Sequence, residues 1–222
     1  TLFLCGALFL PGCSGRVVSP DSYVAAEAGT IDAAALRART TPALVIRALA
    51  SSFNRRDPQR YAELFTGDYQ FVFAAYDSAG NAFRASGFLR EDELRFAQHL
   101  FVTGTGGLPP ADRISMTLSD AVSQPDPRPG KDPSVHRVIR AEFLLSIETP
   151  GPSWRISGAS RFYLVRGDSA QIPPDLLLRG FRPDASRWWI ERWEDESLGA
   201  PATTNALPAR PITLGMLKLL YH

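Results

Sequence analysis

Cysteine is nearly absent from this sequence: it occurs at Cys5 and Cys13 and nowhere in the 209 residues that follow. That long remainder has no thiol with which to build a disulfide framework, a cysteine nucleophile or a thiolate metal site. Histidine is almost as scarce, with His99, His136 and His222 each standing alone, without a second histidine at i,i+4. A zinc or iron centre is therefore not expected, and each histidine reads as a solvent-facing or hydrogen-bonded structural residue. A phosphate loop is also missing. The run Gly104-Thr-Gly-Gly107 has no Lys-Ser/Thr after it and leads into Leu108-Pro-Pro110, which stops a helix rather than starting one, so a helix cap and loop are expected there. Charge of one sign is lacking too: 24 basic residues face 23 acidic ones, with no run long enough to form a stripe. Nucleic acid is excluded as a charge-driven partner, and no cofactor is expected.

Long apolar runs are limited to the first ten residues, Thr1 to Leu10, which end at Pro11-Gly12-Cys13-Ser14-Gly15. A membrane-spanning helix needs about 20 apolar residues, so this run is too short to span and has the form of a secretory leader with its cleavage zone. The segment Leu10-Pro11-Gly12-Cys13 resembles the bacterial lipobox. That resemblance implies cleavage before Cys13, lipid on Cys13, and anchoring of the domain to a membrane of the cell envelope by more than one acyl chain. Ser14 replaces the aspartate that some bacteria read as an inner-membrane signal, which favours the outer membrane. The plainer reading is a buried N-terminal helix that happens to hold two cysteines.

What remains is rich enough in large apolar residues to build a core. Of the whole chain 45% is hydrophobic, with 13 Phe and 4 Trp, and a domain of about 200 residues hides roughly 70% of its extended surface. From Ser14 to about residue 40 the sequence is polar and alanine-rich, which predicts a tether with one short helix. Thr41-Pro42 is a helix start, and Leu44, Val45, Ala48, Leu49 and Ser52 share a face up to about Asn54. Asp57-Pro58 starts a second helix, with Tyr61, Leu64 and Phe65 on its apolar side and Gly67 closing it. Tyr69, Phe71 and Phe73 then alternate as a strand, and the turn Asp77 to Asn81 predicts a hairpin returning through Ala82 to Phe88.

Helical spacing resumes from Glu91 to Phe101 through Leu94, Ala97, Leu100 and Phe101. Strand alternation follows over Ile114 to Leu118, Ile139 to Ile147, Ile156 to Val165 and Arg187 to Glu194, the last carrying Trp188, Trp189 and Trp193. Proline-rich stretches at Gln124 to Pro133 and Ile172 to Pro183 read as surface loops. Three helices before a run of long strands predict an α+β fold, a curved antiparallel sheet with helices covering one face. The divisions expected are a leader over 1–13, a tether over 14–40, a domain over 41–196 and a C-terminal tail over 197–222.

This element order, with the phrase Arg55-Arg-Asp-Pro-Gln-Arg-Tyr-Ala-Glu-Leu-Phe-Thr-Gly-Asp-Tyr-Gln-Phe-Val-Phe73, resembles the nuclear transport factor 2-like superfamily, also called SnoaL-like or cystatin-like, over Thr41 to Asp195. The marks are the Tyr-x-x-Leu-Phe helix end, the Gly67-Asp68-Tyr69 junction into the first strand and the Trp-rich final strand. The resemblance implies a cone-shaped domain. Its members include isomerases, dehydratases and cyclases as well as non-catalytic dimerisation and ligand-binding modules, so fold does not choose among them. With Asp68 matched to the junction aspartate, the isomerases' catalytic carboxylate falls on Phe73, which cannot take a proton.

Acid–base work would then need another buried carboxylate. The candidates are Asp68, Glu142 and Glu191, with Tyr61 or Tyr163 as hydroxyl donors. The plain alternatives are a turn cap for Asp68, a solvated pair with Arg140 for Glu142, a charged outer face with Arg187 and Arg192 for Glu191, and core packing for Tyr61. Phe71, Phe73, Phe143, Tyr163, Trp189 and Trp193 are the candidates to line a pocket for a small apolar ligand, or else they fill the core. Trp193 is singled out because an indole N–H seeks a partner. Three roles stay open: a non-catalytic envelope lipoprotein binding an apolar ligand or a protein, an isomerase-, cyclase- or dehydratase-type enzyme using Asp68 or Glu142, and a homodimeric assembly module.

Overall fold

The computed structural model describes residues 32–83, 85–119, 122–197 and 210–222. Cys13, where lipid is expected, and the expected leader lie outside these residues. Helix α1, Ala33–Ala38, is capped by the Asp32 carboxylate and falls where a short helix in the tether is expected. Helix α2, Pro42–Arg55, begins as its sequence dictates: Thr41 Oγ1 accepts the Leu44 N–H at 3.3 Å and Pro42 occupies the first turn. It buries Val45, Ile46, Leu49, Ser52 and Phe53 and ends at Arg56, which adopts a left-handed conformation. Helix α3, Pro58–Ala62, repeats the same start, with the Asp57 carboxylate accepting the Arg60 N–H at 3.0 Å.

Strand β1, Phe65–Val72, starts four residues before the expected Tyr69. Gly67, expected to close α3, instead lies inside β1, in an irregularity between Phe65 and Gln70 that leaves Gly67 and Asp68 outside the core. There its N–H donates to the Gln171 carbonyl at 2.6 Å. The expected hairpin shrinks to two residue pairs. Residues Ser78–Phe83 wind into a 3-10 helix, and only β2, Phe88–Leu89, pairs antiparallel with β1. Gly80 packs so closely on Phe73 that an added Cβ would lie 2.5 Å from the Phe73 side chain. The chain therefore folds over the end of β1 instead of running beside it.

Helix α4, Arg90–Gln98, passes into a single π-helical turn over His99–Thr103, which carries Leu100 and Phe101 into the core. Strand β3, Arg113–Leu118, follows, then the short β4, Gln124–Pro125, the long β5, His136–Glu148, and β6, Trp154–Arg166. Helix α5, Pro174–Leu178, precedes β7, Trp188–Glu196; β8, Arg210–Pro211, and α6, Leu214–Leu220, complete the described elements.

The strands form one curved, mainly antiparallel sheet in the order β2-β1-β7-β6-β5-β3, with β4 beside β5 and β8 beside β6. Only the β1–β7 and β6–β8 pairings are parallel. The fold is α+β, as expected; the N-terminal helices α2 and α4 cover one face, and α6, from the expected tail, joins them there. The core there includes Phe53, Phe96, Phe143, Phe162, Leu164 and Trp193. A second, smaller cluster of Val165, Leu176 and Trp189 lies apart from it, with Ile172 and Phe181 packed against it, so the proline-rich stretch at 172–183 is an apolar cover and not simply a surface loop.

Two segments expected to lie outside the domain contribute to it. Arg39 is buried, its carbonyl accepts the Trp188 N–H at 3.0 Å and its guanidinium lies over the Trp189 ring at 5.0 Å. Within the expected tail, α6 buries Leu214, Leu217, Lys218 and Tyr221, the i, i+3, i+4, i+7 stripe of an amphipathic helix.

Candidate functional site

On α4 the positions Glu93, Phe96 and Ala97 form one inward stripe, so the helix places a carboxylate in the apolar interior. Three groups from separate elements meet that carboxylate. Tyr61 at the end of α3 donates its hydroxyl to Glu93 Oε1, Lys218 of α6 donates its ammonium to the same oxygen, and Tyr69 of β1 donates to Oε2 at 2.9 Å. All four side chains have no solvent exposure. The Lys218 nitrogen also sits 4.3 Å from the centre of the Phe71 ring, 4.4 Å from Trp193, 4.8 Å from Phe96 and 5.8 Å from Phe88. A lone buried charge costs several kcal/mol, about as much as a well-bonded pair recovers. Here the carboxylate has three donors and the cation has aromatic faces around it.

Burial, reinforced by the adjacent Glu93 charge, holds the Tyr61 and Tyr69 hydroxyls well above the ordinary tyrosine range, so both remain donors. Burial pulls the Lys218 pKa down, while Glu93 and then Asp195 pull it back up. A second set of bonds seats the start of α6. Asp195 Oδ2 accepts the Gly215 N–H at 3.0 Å, Ser197 Oγ accepts the Leu214 N–H at 3.2 Å, and Thr213 Oγ1 donates to Asp77 while capping the helix. Burial raises the Asp195 pKa above its usual value. At the far end the Tyr221 hydroxyl donates to the Pro109 carbonyl at 2.9 Å, and His222 lies 2.8 Å from Asp92.

The residues singled out in the sequence are scattered differently. Asp68 and Glu142 are both solvent-exposed, which removes the condition their proposed chemistry required. Arg140 pairs with Glu196 at 2.7 Å, not with Glu142, whose backbone N–H donates to Ser119 Oγ. Glu191 is buried, held by Arg128 and by Lys131 at 3.0 Å, so the expected exposed face with Arg187 and Arg192 is not formed. A register shift in β7 causes this: it places Arg192, opposite Tyr163, in contact with Gln70 and Glu194. Of the two candidate hydroxyls, Tyr61 reaches a fully buried carboxylate, that of Glu93, and Tyr163 does not.

The six aromatic candidates do not line one mouth. Phe71, Phe73, Phe143 and Trp193 belong to the core under the helices, whereas Trp189 packs in the separate cluster with Val165 and Leu176. Tyr163 lies under the Arg128 guanidinium at 4.1 Å and donates to Glu194 at 3.3 Å. The Trp193 indole N–H, expected to find a partner, has no hydrogen-bond acceptor; its ring faces Lys218 instead. Among the described residues no group of three or more His, Cys, Asp or Glu could hold a metal ion.

Sequence reasoning missed Glu93, Tyr69 and Lys218. The signal was present as a charge on an apolar stripe: Glu93 stands at i−3 and i−4 from Phe96 and Ala97, and Lys218 stands between Leu217 and Tyr221 on the buried face of α6. Each alone resembles an ordinary surface charge, and only the fold brings them together.

No protein-family model matches the chain, and a comparison with curated proteins finds no match. Solved structures similar to it include a candidate scytalone dehydratase from Novosphingobium aromaticivorans, 12% identical over 76% of this chain and 88% of that one, with a TM-score of 0.48. A nuclear transport factor 2-like superfamily protein from Salmonella enterica is 12% identical over 78% and 97%, TM-score 0.44. A nuclear transport factor 2-like protein with a cystatin-like fold, also from Novosphingobium aromaticivorans, is 14% identical over 75% and 86%, TM-score 0.43. These are what the chain is similar to; its α+β architecture rests on its own strand order and helix packing.

Proposed function

We propose that this chain is a lipid-anchored protein of the bacterial envelope whose α+β domain, of the nuclear transport factor 2-like kind, is a non-catalytic binding module. The observation that carries the reading is the filled interior. A general base must reach a substrate proton within hydrogen-bond distance. Glu93, the carboxylate beneath the helices, is instead enclosed by Tyr61, Tyr69 and Lys218 with no exposure. In this closed state a partner meets the outside of the domain, and a protein fits that role better than a small apolar ligand.

The anchor is supported by Leu10-Pro11-Gly12-Cys13. Expressing the full chain in a bacterium with its own leader, and weighing the N-terminal peptide, tests it. Acyl mass on Cys13 and a membrane-bound protein released by Cys13→Ala are expected; an unmodified Cys13 in an intact N-terminus refutes the anchor. A second reading is favoured by the two tyrosine hydroxyls on one carboxylate: with α6 withdrawn, Glu93 would be a base flanked by two donors. Turnover of a carbon acid that is lost in Glu93→Gln would favour that reading over binding.

A further inference from the structure

We propose that the position of the Lys218 ammonium is a binding site for a primary alkylammonium ligand, with α6 as its built-in occupant. The site is assembled without α6. Glu93 and Phe96 come from α4, Tyr61 from α3, Tyr69 and Phe71 from β1, Phe88 from β2 and Trp193 from β7. These groups brace one another: Tyr61 packs edge-on against Phe53 and Phe65, and Trp193 packs against Phe71 and Phe162. The two tyrosine hydroxyls hold the carboxylate through both of its oxygens.

A plain ion pair would need only the carboxylate. Here four rings lie within 6 Å of the nitrogen, three of them within 5 Å. Aromatic faces around a cation are the arrangement by which proteins recognise ammonium groups, because each ring presents its negative face to the charge. Glu93 sets the class of ligand further. Lys218 donates an N–H to Oε1, and a quaternary ammonium, having no N–H, could not replace that bond. A primary amine on an aliphatic chain matches both the charge and the apolar path that the lysine stem follows.

The inference rests on the domain being a binding module, and its test is separable from that reading. In the full chain, Lys218→Ala removes the fragment that n-propylammonium would restore. The unfolding temperature is measured with n-propylammonium chloride, tetramethylammonium chloride and 1-propanol at matched concentration and ionic strength. A saturable rise of several degrees with propylammonium alone, absent in Lys218→Ala/Glu93→Gln, is expected, since a ligand that binds only the folded state stabilises it by mass action. Equal responses to all three solutes, or a response that survives loss of the carboxylate, overturn the proposal.

Should the variant be unfolded without amine, refolding by propylammonium alone supports the site, and a chain that stays unfolded at every concentration refutes it. In the unsubstituted protein, n-butylammonium should speed hydrogen exchange at the α6 amides relative to butanol. No difference means that α6 cannot be displaced and the site is closed to ligands. Failure of the amine arms with lipid present on Cys13 and no turnover removes the ligand class alone; turnover dependent on Glu93 removes the binding reading itself.

Discussion

Lys218 and Glu93, 125 residues apart in sequence, form an ion pair in which neither side chain touches solvent. Removing one partner strands the other. Lys218→Met should lower stability by about 3–5 kcal/mol, because Glu93 keeps its burial and loses its cation. Lys218→Met/Glu93→Gln should recover much of that loss. Denaturant unfolding of the two single variants and the double variant gives the coupling; additive losses would show that the pair does not act as a unit.

Alkaline pH addresses the same interior through its tyrosines. Tyr61 and Tyr69 are held well above the ordinary value, and burial pushes Tyr221 up to about 12. Since these folded-state values lie above the unfolded one of about 10, the native state binds more protons than the unfolded chain beyond that pH. Their contribution is therefore complete below pH ~10 and is lost as pH rises through the folded values. Unfolding free energy should fall above pH ~10, with tyrosinate absorbance from Tyr61 and Tyr69 appearing only as the chain unfolds. Replacing both by Phe should flatten this fall.

The α+β class and most of its elements were legible because they depend on local patterns. Thr41-Pro42 and Asp57-Pro58 start helices wherever they occur next to an apolar stripe, and the long strands β5 and β6 declare themselves by alternation. The expected hairpin failed because Gly80 closes onto Phe73, a contact that no period reveals. The site was less legible. Asp68 and Glu142 were attractive as carboxylates at marked positions, but exposure is set by the β1 irregularity and by which face β5 turns outward. Glu93 and Lys218 each break a stripe of large side chains, and a charge at such a position gives notice of a buried pair without naming its partner. The reading of 197–222 as a tail followed from its place after the last long strand, where length and composition say nothing about return to the core.

Gly215 shows how closely α6 is seated. An added Cβ would lie 2.6 Å from the Phe73 ring and 2.7 Å from Asp77 Oδ2. Gly215→Ala should cost about 1–3 kcal/mol, the usual penalty for overpacking, and should raise the protease sensitivity of 213–222 ahead of the rest of the domain. Gly107→Ala, where nothing lies within 4 Å of the new Cβ, is the matched control and should change neither. Equal behaviour of the two variants would mean that α6 is loosely held.

At the opposite edge of the sheet, Asn54 on α2 spans both backbone groups of Met116 on β3: Oδ1 accepts its N–H at 2.6 Å and Nδ2 donates to its carbonyl at 3.1 Å. Strand β3 ends the sheet, and an edge with unpaired N–H and C=O groups is a template for another chain. The side chain does here what a further strand would do. Asn54→Ala should remove two bonds, lowering stability by about 1–3 kcal/mol, and should leave Met116 free to pair between molecules. Hydrogen exchange at the Met116 amide and the concentration dependence of light scattering report the two effects separately. Faster exchange with concentration-dependent association is expected. Unchanged exchange would mean that β3 is protected without Asn54, and faster exchange without concentration-dependent association would confine its role to stability.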